Sequence, residues 1–95
     1  MTSIGEWTFL RCYDLKNITI GNGVTSIGAG AFAECNDLTS ATIPDSVTII
    51  GEDTFYECNM LNNVTITANG GNAANVKQMM IDAGVYEYIT WNMPR

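Results

Sequence analysis

The sequence predicts a mainly β solenoid, a single domain over residues 1–95 that ends in an α-helix and one further strand. Three observations predict it. Residues 3–71 repeat with a period of 23, each period holds a short run that alternates like a strand, and the period stops after Thr67 where a helical stripe begins. A fixed period of about 20 to 50 residues marks a stack of supersecondary units, each too small to bury its own apolar face.

The columns of the repeat are explicit. Ile4, Ile27 and Ile50 align, as do Gly5, Gly28 and Gly51; Phe9, Phe32 and Phe55; Cys12, Cys35 and Cys58; Leu15, Leu38 and Leu61; and Ile20, Ile43 and Ile66. Each rung of such a stack touches only its neighbours, so a residue that recurs once per rung serves the stack. The repeats span about 3–25, 26–48 and 49–71, and residues 72–95 form the C-terminal cap.

Within a rung the elements follow in order. Residues 24–27 and 47–50 are rich in β-branched side chains and predict a short strand on one side of the rung. The glycine that follows lets the chain turn where a side chain would obstruct it. Residues 31–35 are too few for an α-helix, and the i, i+3 spacing of Phe32 and Cys35 predicts a 3₁₀ turn that drops both into the core. Residues 38–43 predict the principal strand, with Ala41 and Ile43 inward and Thr42 outward; residues 15–20 and 61–66 are its equivalents. One such strand per rung gives a parallel sheet with strands about 4.8 Å apart. Pro44 sits just past the strand, where its missing N–H matters least.

The tail departs from the period. Ala68, Asn69, Gly70 and Gly71 read as a loop. Asn72 as N-cap and Gly84 as the stop bound a helix whose Val76, Met79, Met80 and Ala83 form an apolar stripe. Residues 86–91 alternate like a strand, and Ile89 lies 23 residues after Ile66, which predicts a fourth strand in phase. Tyr86, Tyr88 and Trp91 are expected to pack under the helix.

Composition narrows the function. Ten carboxylates against four cations give a net charge of -6, the wrong sign for nucleic acid or an anionic membrane surface. No apolar run reaches the roughly 20 residues of a membrane span, and no basic-then-apolar segment marks a signal peptide in this chain. Met1 stands directly before the middle of a repeat, so the expectation is the C-terminal part of a longer protein or a truncated gene, with any secretion signal upstream.

The chemistry-bearing residues point away from catalysis. The chain has no histidine, which excludes Ser/His/Asp and Cys/His nucleophiles within it. Glu34 and Glu57 share a column with Glu52 and Asp53 nearby, the arrangement of a solvated acidic ridge headed by Arg11. Three cysteines in one column form a line, not a tetrahedron, and parallel Cβ vectors suit a disulfide poorly. They read as buried small hydrophobes. Asn36, Asp37, Asp45 and Asp53 lack the spacing of a calcium loop. No catalytic residue, metal or cofactor is expected.

From Cys35 to Cys58 the chain follows Cys-x-x-Leu-x-x-Val-x-Ile-Pro-x-x-Val-x-x-Ile-Gly-x-x-Ala-Phe-x-x-Cys, with Ala41 in place of a larger aliphatic and Thr54 in place of alanine. This pattern resembles the BspA-like leucine-rich repeat over residues 3–67, and the tail from Asn72 is similar to the segment that closes such arrays. The first repeat departs from it: Trp7 and Thr8 stand where Gly30 and Ala31 do, and Gly21-Asn22 where Pro44-Asp45 do. The resemblance implies a right-handed curved leucine-rich-repeat solenoid, with the parallel sheet on its concave side and the short strands and turns on its convex side. It also implies a cell-surface or secreted, non-enzymatic protein that adheres to host proteins, matrix components or other microbes.

By that geometry the outward columns Asn17, Ser40, Asn63 and Thr19, Thr42, Thr65 form the concave face, small, polar and uncharged, and are the candidate surface for a protein partner. They hold none of the Trp, Tyr or Arg that dominate interface energetics. Two glycosylation sequons, at Asn17 and Asn63, fall in these strands and read as coincidences of composition. A second surface is the edge of the first rung, where Ile4, Trp7 and Phe9 stand with no rung before them and predict self-association into a homo-oligomer. The alternative role is a structural cap that ends a longer array without a ligand of its own.

Overall fold

A computed structural model describes residues 3–67 and 71–93. The expected loop at 68–70 lies outside the described residues, as do Met1 and Pro94. Among the described residues seven strands and one helix follow in the order β1 (Ser3–Ile4), β2 (Asn17–Thr19), β3 (Ser26–Ile27), β4 (Ser40–Pro44), β5 (Ile49–Ile50), β6 (Asn63–Thr67), α1 (Ala73–Asp82) and β7 (Thr90–Asn92).

Two parallel sheets face each other across one core. The smaller has the order β1-β3-β5 and the larger β2-β4-β6-β7. Registers through the first six strands step by the sequence period: Ser3 opposes Ser26 and Ser26 opposes Ile49, while Asn17 opposes Ser40 and Ser40 opposes Asn63. The apolar columns fill the space between, with Ile27, Phe32, Leu38, Ile43, Phe55 and Ile66 all buried. The phenylalanines form a continuous stack, Phe9 on Phe32 at 5.2 Å and Phe32 on Phe55 at 5.6 Å between ring centroids. Parallel strands with one helix near the C-terminus make a solenoid-like, mainly β fold. The principal strands begin two residues later than the alternation suggested, at Ser40 and Asn63, because Leu38 and Leu61 still belong to the turns.

The turn segment between the sheets solves a backbone problem. In the middle rung, Ala31, Ala33 and Cys35 donate N–H bonds within the rung to Gly28, Gly30 and Phe32, each an i to i+3 turn. The alternate groups, Gly30, Phe32 and Glu34, donate to Glu52, Thr54 and Tyr56 of the next rung. The first rung repeats this with Trp7, Phe9 and Arg11 donating to Ala29, Ala31 and Ala33. The expected 3₁₀ turn is therefore a run of separate turns rather than a 3₁₀ helix, since a helix would direct every N–H inside the rung and leave the turn segments of successive rungs unlinked.

This alternation requires left-handed residues. Trp7, Gly30 and Asp53 share one column and have positive φ, and Arg11, Glu34 and Glu57 share another, with the non-glycine values between 57° and 61°. Each non-glycine member carries on the order of 1 kcal/mol of backbone strain. The Gly28 and Gly51 column has a different cause. A Cβ on Gly28 would meet Glu6 N of the preceding rung at 2.5 Å, so only glycine permits that approach.

The C-terminal segment closes the core differently. Helix α1 packs on β5 and β6, burying Val76 and Met80. Asn72 occupies the N-cap position as expected, but its side chain makes no capping bond: its amide donates to Val47 O, 3.1 Å away, and its Oδ1 accepts from Asn75. Asp45, buried at the end of β4, accepts from the backbone N–H groups of Gly71 (2.9 Å) and Asn72 (3.2 Å) and so fixes the entry to the helix. Gly84, at φ 114°, ends it as expected.

The fourth strand exists, but not in phase. Strand β7 covers Thr90–Asn92 rather than 86–91, and Asn63, Val64 and Thr65 oppose Thr90, Trp91 and Asn92, an offset of 27 instead of 23. A helix of 10 residues replaces the compact turn and lengthens the connection. The tyrosines follow from that shift: Tyr86 and Tyr88 lie in the turn before β7, exposed, and do not pack under the helix. Trp91 is partly buried against the core, with Lys77 Nζ 5.3 Å from its ring centroid.

Candidate functional site

The outer face of the larger sheet brings the six candidate residues together. Parallel register stacks Asn17, Ser40 and Asn63 in one column and Thr19, Thr42 and Thr65 in the next. Alternation buries Ala41, Ile43, Val64 and Ile66 beneath them, which forces the intervening side chains outward. The result is a grid of amides and hydroxyls with no charge, each able to donate and accept.

Strand β7 adds a part the sequence did not reveal. Its offset places Thr90 beside Asn63 and Asn92 beside Thr65, extending both columns to a fourth strand. Asn92 Nδ2 donates to Asn63 Oδ1 at 3.0 Å and to Thr65 Oγ1 at 3.2 Å. The clue in the sequence was Thr90-Trp91-Asn92, polar on both sides of one large apolar residue, like Asn63-Val64-Thr65.

The edge residues of the first rung divide. Ile4 and Phe9 line an open apolar cleft of about 530 Å³ together with Leu15, Ile18 and Phe32. Trp7 is not part of that lining: its ring lies over Gly30 of the next rung, where any Cβ would strike it, and it remains 51 % exposed. Carbonyls of the second rung at Ala29, Ala31 and Ala33 accept from the first. Their equivalents in the first rung, Glu6, Thr8 and Leu10, receive no backbone donor among the described residues.

The residues of the turn segments are structural or solvated. Arg11 Nε lies 3.5 Å from Glu34 Oε2, an exposed pair of little energetic weight. The nearby carboxylate of Glu57, with burial and then Glu34 and Asp53 adding less, pushes the Tyr56 hydroxyl above its ordinary value. Thr54 is buried where the repeat pattern has alanine, and its hydroxyl lies 2.6 Å from Gly51 O and 3.1 Å from Gly28 O, so the departure is satisfied. Among the described residues no group of three or more His, Cys, Asp or Glu side chains is placed to hold a metal ion.

The cysteine column holds free thiols with a role that its spacing did not disclose. Cys35 and Cys58 are buried and Cys12 partly so. Cys35 Sγ donates to Phe9 O at 3.2 Å and Cys58 Sγ to Phe32 O at 3.0 Å, so each thiol ties its rung to the one before. Burial pushes the Cys35 thiol up and the Cys58 thiol up to about 12, which keeps both as neutral donors.

Neither the curated proteins nor the solved structures gave a match to the chain. A family model described as BspA type Leucine rich repeat region (6 copies) matches residues 1–81, which takes in all three rungs and nearly all of helix α1. With parallel rungs in register and this match over most of its length, the chain belongs to the BspA-type leucine-rich repeat family.

Proposed function

We propose that the chain is a non-enzymatic interaction module that presents the polar face of its larger sheet to a protein partner, in a cell-surface or secreted setting. The observation that carries this is the uncharged grid Asn17, Thr19, Ser40, Thr42, Asn63 and Thr65, held in register and continued by Thr90 and Asn92. Family membership supports the setting, since such repeats are typically binding modules of surface or secreted proteins. Among the described residues no helix is long and apolar enough to cross a membrane. The test is a binding screen of this chain against host matrix and microbial surface proteins, repeated with Thr42→Arg at the centre of the grid. Binding that Thr42→Arg abolishes supports the face; binding that it leaves intact moves the partner elsewhere.

A second reading is favoured by the cleft at the first rung. There Ile4 and Phe9 line a cleft, whereas their equivalents Ile27 and Phe32 meet a preceding rung, so the surface fits another rung or a second copy of the chain. On this reading the chain terminates a longer array, with the helix and β7 covering its last core layer. Light scattering across a concentration series then shows self-association that Phe9→Lys removes. A constant monomer mass would overturn it.

A further inference from the structure

Two exposed aromatic residues, Tyr86 and Tyr88, stand at the rim of the polar grid. The loop before β6 and the turn before β7 enclose a shallow cleft of about 310 Å³. Tyr86 and Tyr88 stack beside it with ring centroids 5.3 Å apart and planes within 12°. Tyr88 is 83 % exposed, so a flat aromatic face meets solvent. Tyr86 is not free to swing, because its hydroxyl donates to Asn59 Oδ1 at 3.0 Å and Asn59 Nδ2 in turn donates to Glu57 Oε2 at 3.4 Å. Tyr86 is thus held in place before any ligand arrives and offers Tyr88 a fixed ring to stack on, which lowers the entropy lost on binding.

Charge decides the ligand class. The chain carries fourteen charged side chains, ten acidic and four basic, yet none of them lines this cleft. It is lined by Asn59, Asn62, Tyr86, Tyr88 and Thr90, whose side chains carry amides and hydroxyls, and by the apolar Met60, Leu61 and Ile89. Amides and hydroxyls both donate and accept, as sugar hydroxyls do. The negative face of a tyrosine ring attracts the polarised C–H bonds on one side of a pyranose. A volume at the low end of the roughly 300 to 1,000 Å³ found for ligand sites suits one or two rings.

We propose that this cleft is a binding site for a short neutral saccharide, with one pyranose ring stacked on Tyr88 and its hydroxyls on Asn59, Asn62 and Thr90. The site borders the polar grid through Thr90, which opposes Asn63, but does not depend on the grid binding a protein. The test is a titration of the whole chain, labelled with nitrogen-15, by maltose, cellobiose, lactose and di-N-acetylchitobiose into the millimolar range, read by amide chemical shifts. At least one of these sugars shifts amides confined to residues 59–62 and 86–90. Tyr88→Ala weakens that binding about tenfold or more while leaving the remaining spectrum unchanged, and Tyr88→Phe, which keeps the ring face, retains most of it. Three results overturn the proposal: no shifts in these segments with any of the sugars, shifts that survive Tyr88→Ala, or a protein partner that binds through Tyr88 while the sugars leave it unshifted. The Thr42→Arg screen addresses the other face, so either proposal can fail alone.

Discussion

Phe9 and Phe32 occupy the same column and stack ring on ring, yet Phe9 is 38 % exposed and Phe32 is 1 % exposed. Leu15 and Cys12 are likewise only partly buried where Leu38 and Cys35 are sealed. The residue types and backbone turns are the same, so burial in this fold is set by having a neighbour on each side. The opposite end makes the point from the other direction. Phe55, in the last rung, is fully buried because Ala83, Val85 and helix α1 stand where a further rung would.

The largest test of that comparison is a pair of truncations. Phe32→Ala should destabilise by about 3 to 5 kcal/mol in urea unfolding, whereas Phe9→Ala should cost no more than about 2 kcal/mol. Equal losses would mean that the first rung is as well packed as the second. A smaller effect separates Asp45 from its first-rung counterpart Asn22. Asp45→Ala removes a buried acceptor from two backbone donors and should cost about 2 to 3 kcal/mol. Asn22 is exposed, and Asn22→Ala should stay within about 0.5 kcal/mol.

The thiols sharpen the same contrast without changing the core. Iodoacetamide should modify Cys12 first, with Cys35 and Cys58 reacting only as the fold opens. For Cys58 the sign follows from its raised value. Below the ordinary thiol value of 9.0 both folded and unfolded forms are neutral and the stability is intact. Between there and about 12 the unfolded thiol ionises first, so stability falls as pH rises through that window. Uniform labelling of the three cysteines, or a pH profile unaltered by Cys58→Ala, would break the distinction.

How much of this was legible in the sequence depends on whether the cause was periodic. The registers of β1 to β6 and the stacked Phe and Cys columns follow from the spacing alone, because a translation by one rung is also a translation by one period. The polar grid was legible for the same reason. Where structure arises between unlike segments, the period is silent. It placed Ile89 opposite Ile66, but the helix intervenes and the partner of Asn63 is Thr90. It gave Asp45 no partner, because the backbone groups it binds, at Gly71 and Asn72, lie past Thr67, where the period stops. The left-handed column was half visible: Gly30 and Asp53 are residues that tolerate positive φ, and Trp7 in the same column concealed it.

In the turn segments the alternate backbone N–H groups, such as those of Phe9, Arg11, Phe32 and Glu34, all donate to carbonyls of the next rung, along the axis of the stack. Tension applied between the two ends would therefore load these links in series instead of shearing a whole sheet at once. The chain should yield from its first rung inward, where Phe9 and Leu15 have the fewest neighbours. Each rung of 23 residues that peels away releases about 80 Å of extended chain, so under force the molecule would lengthen in even steps like a ratcheted spring.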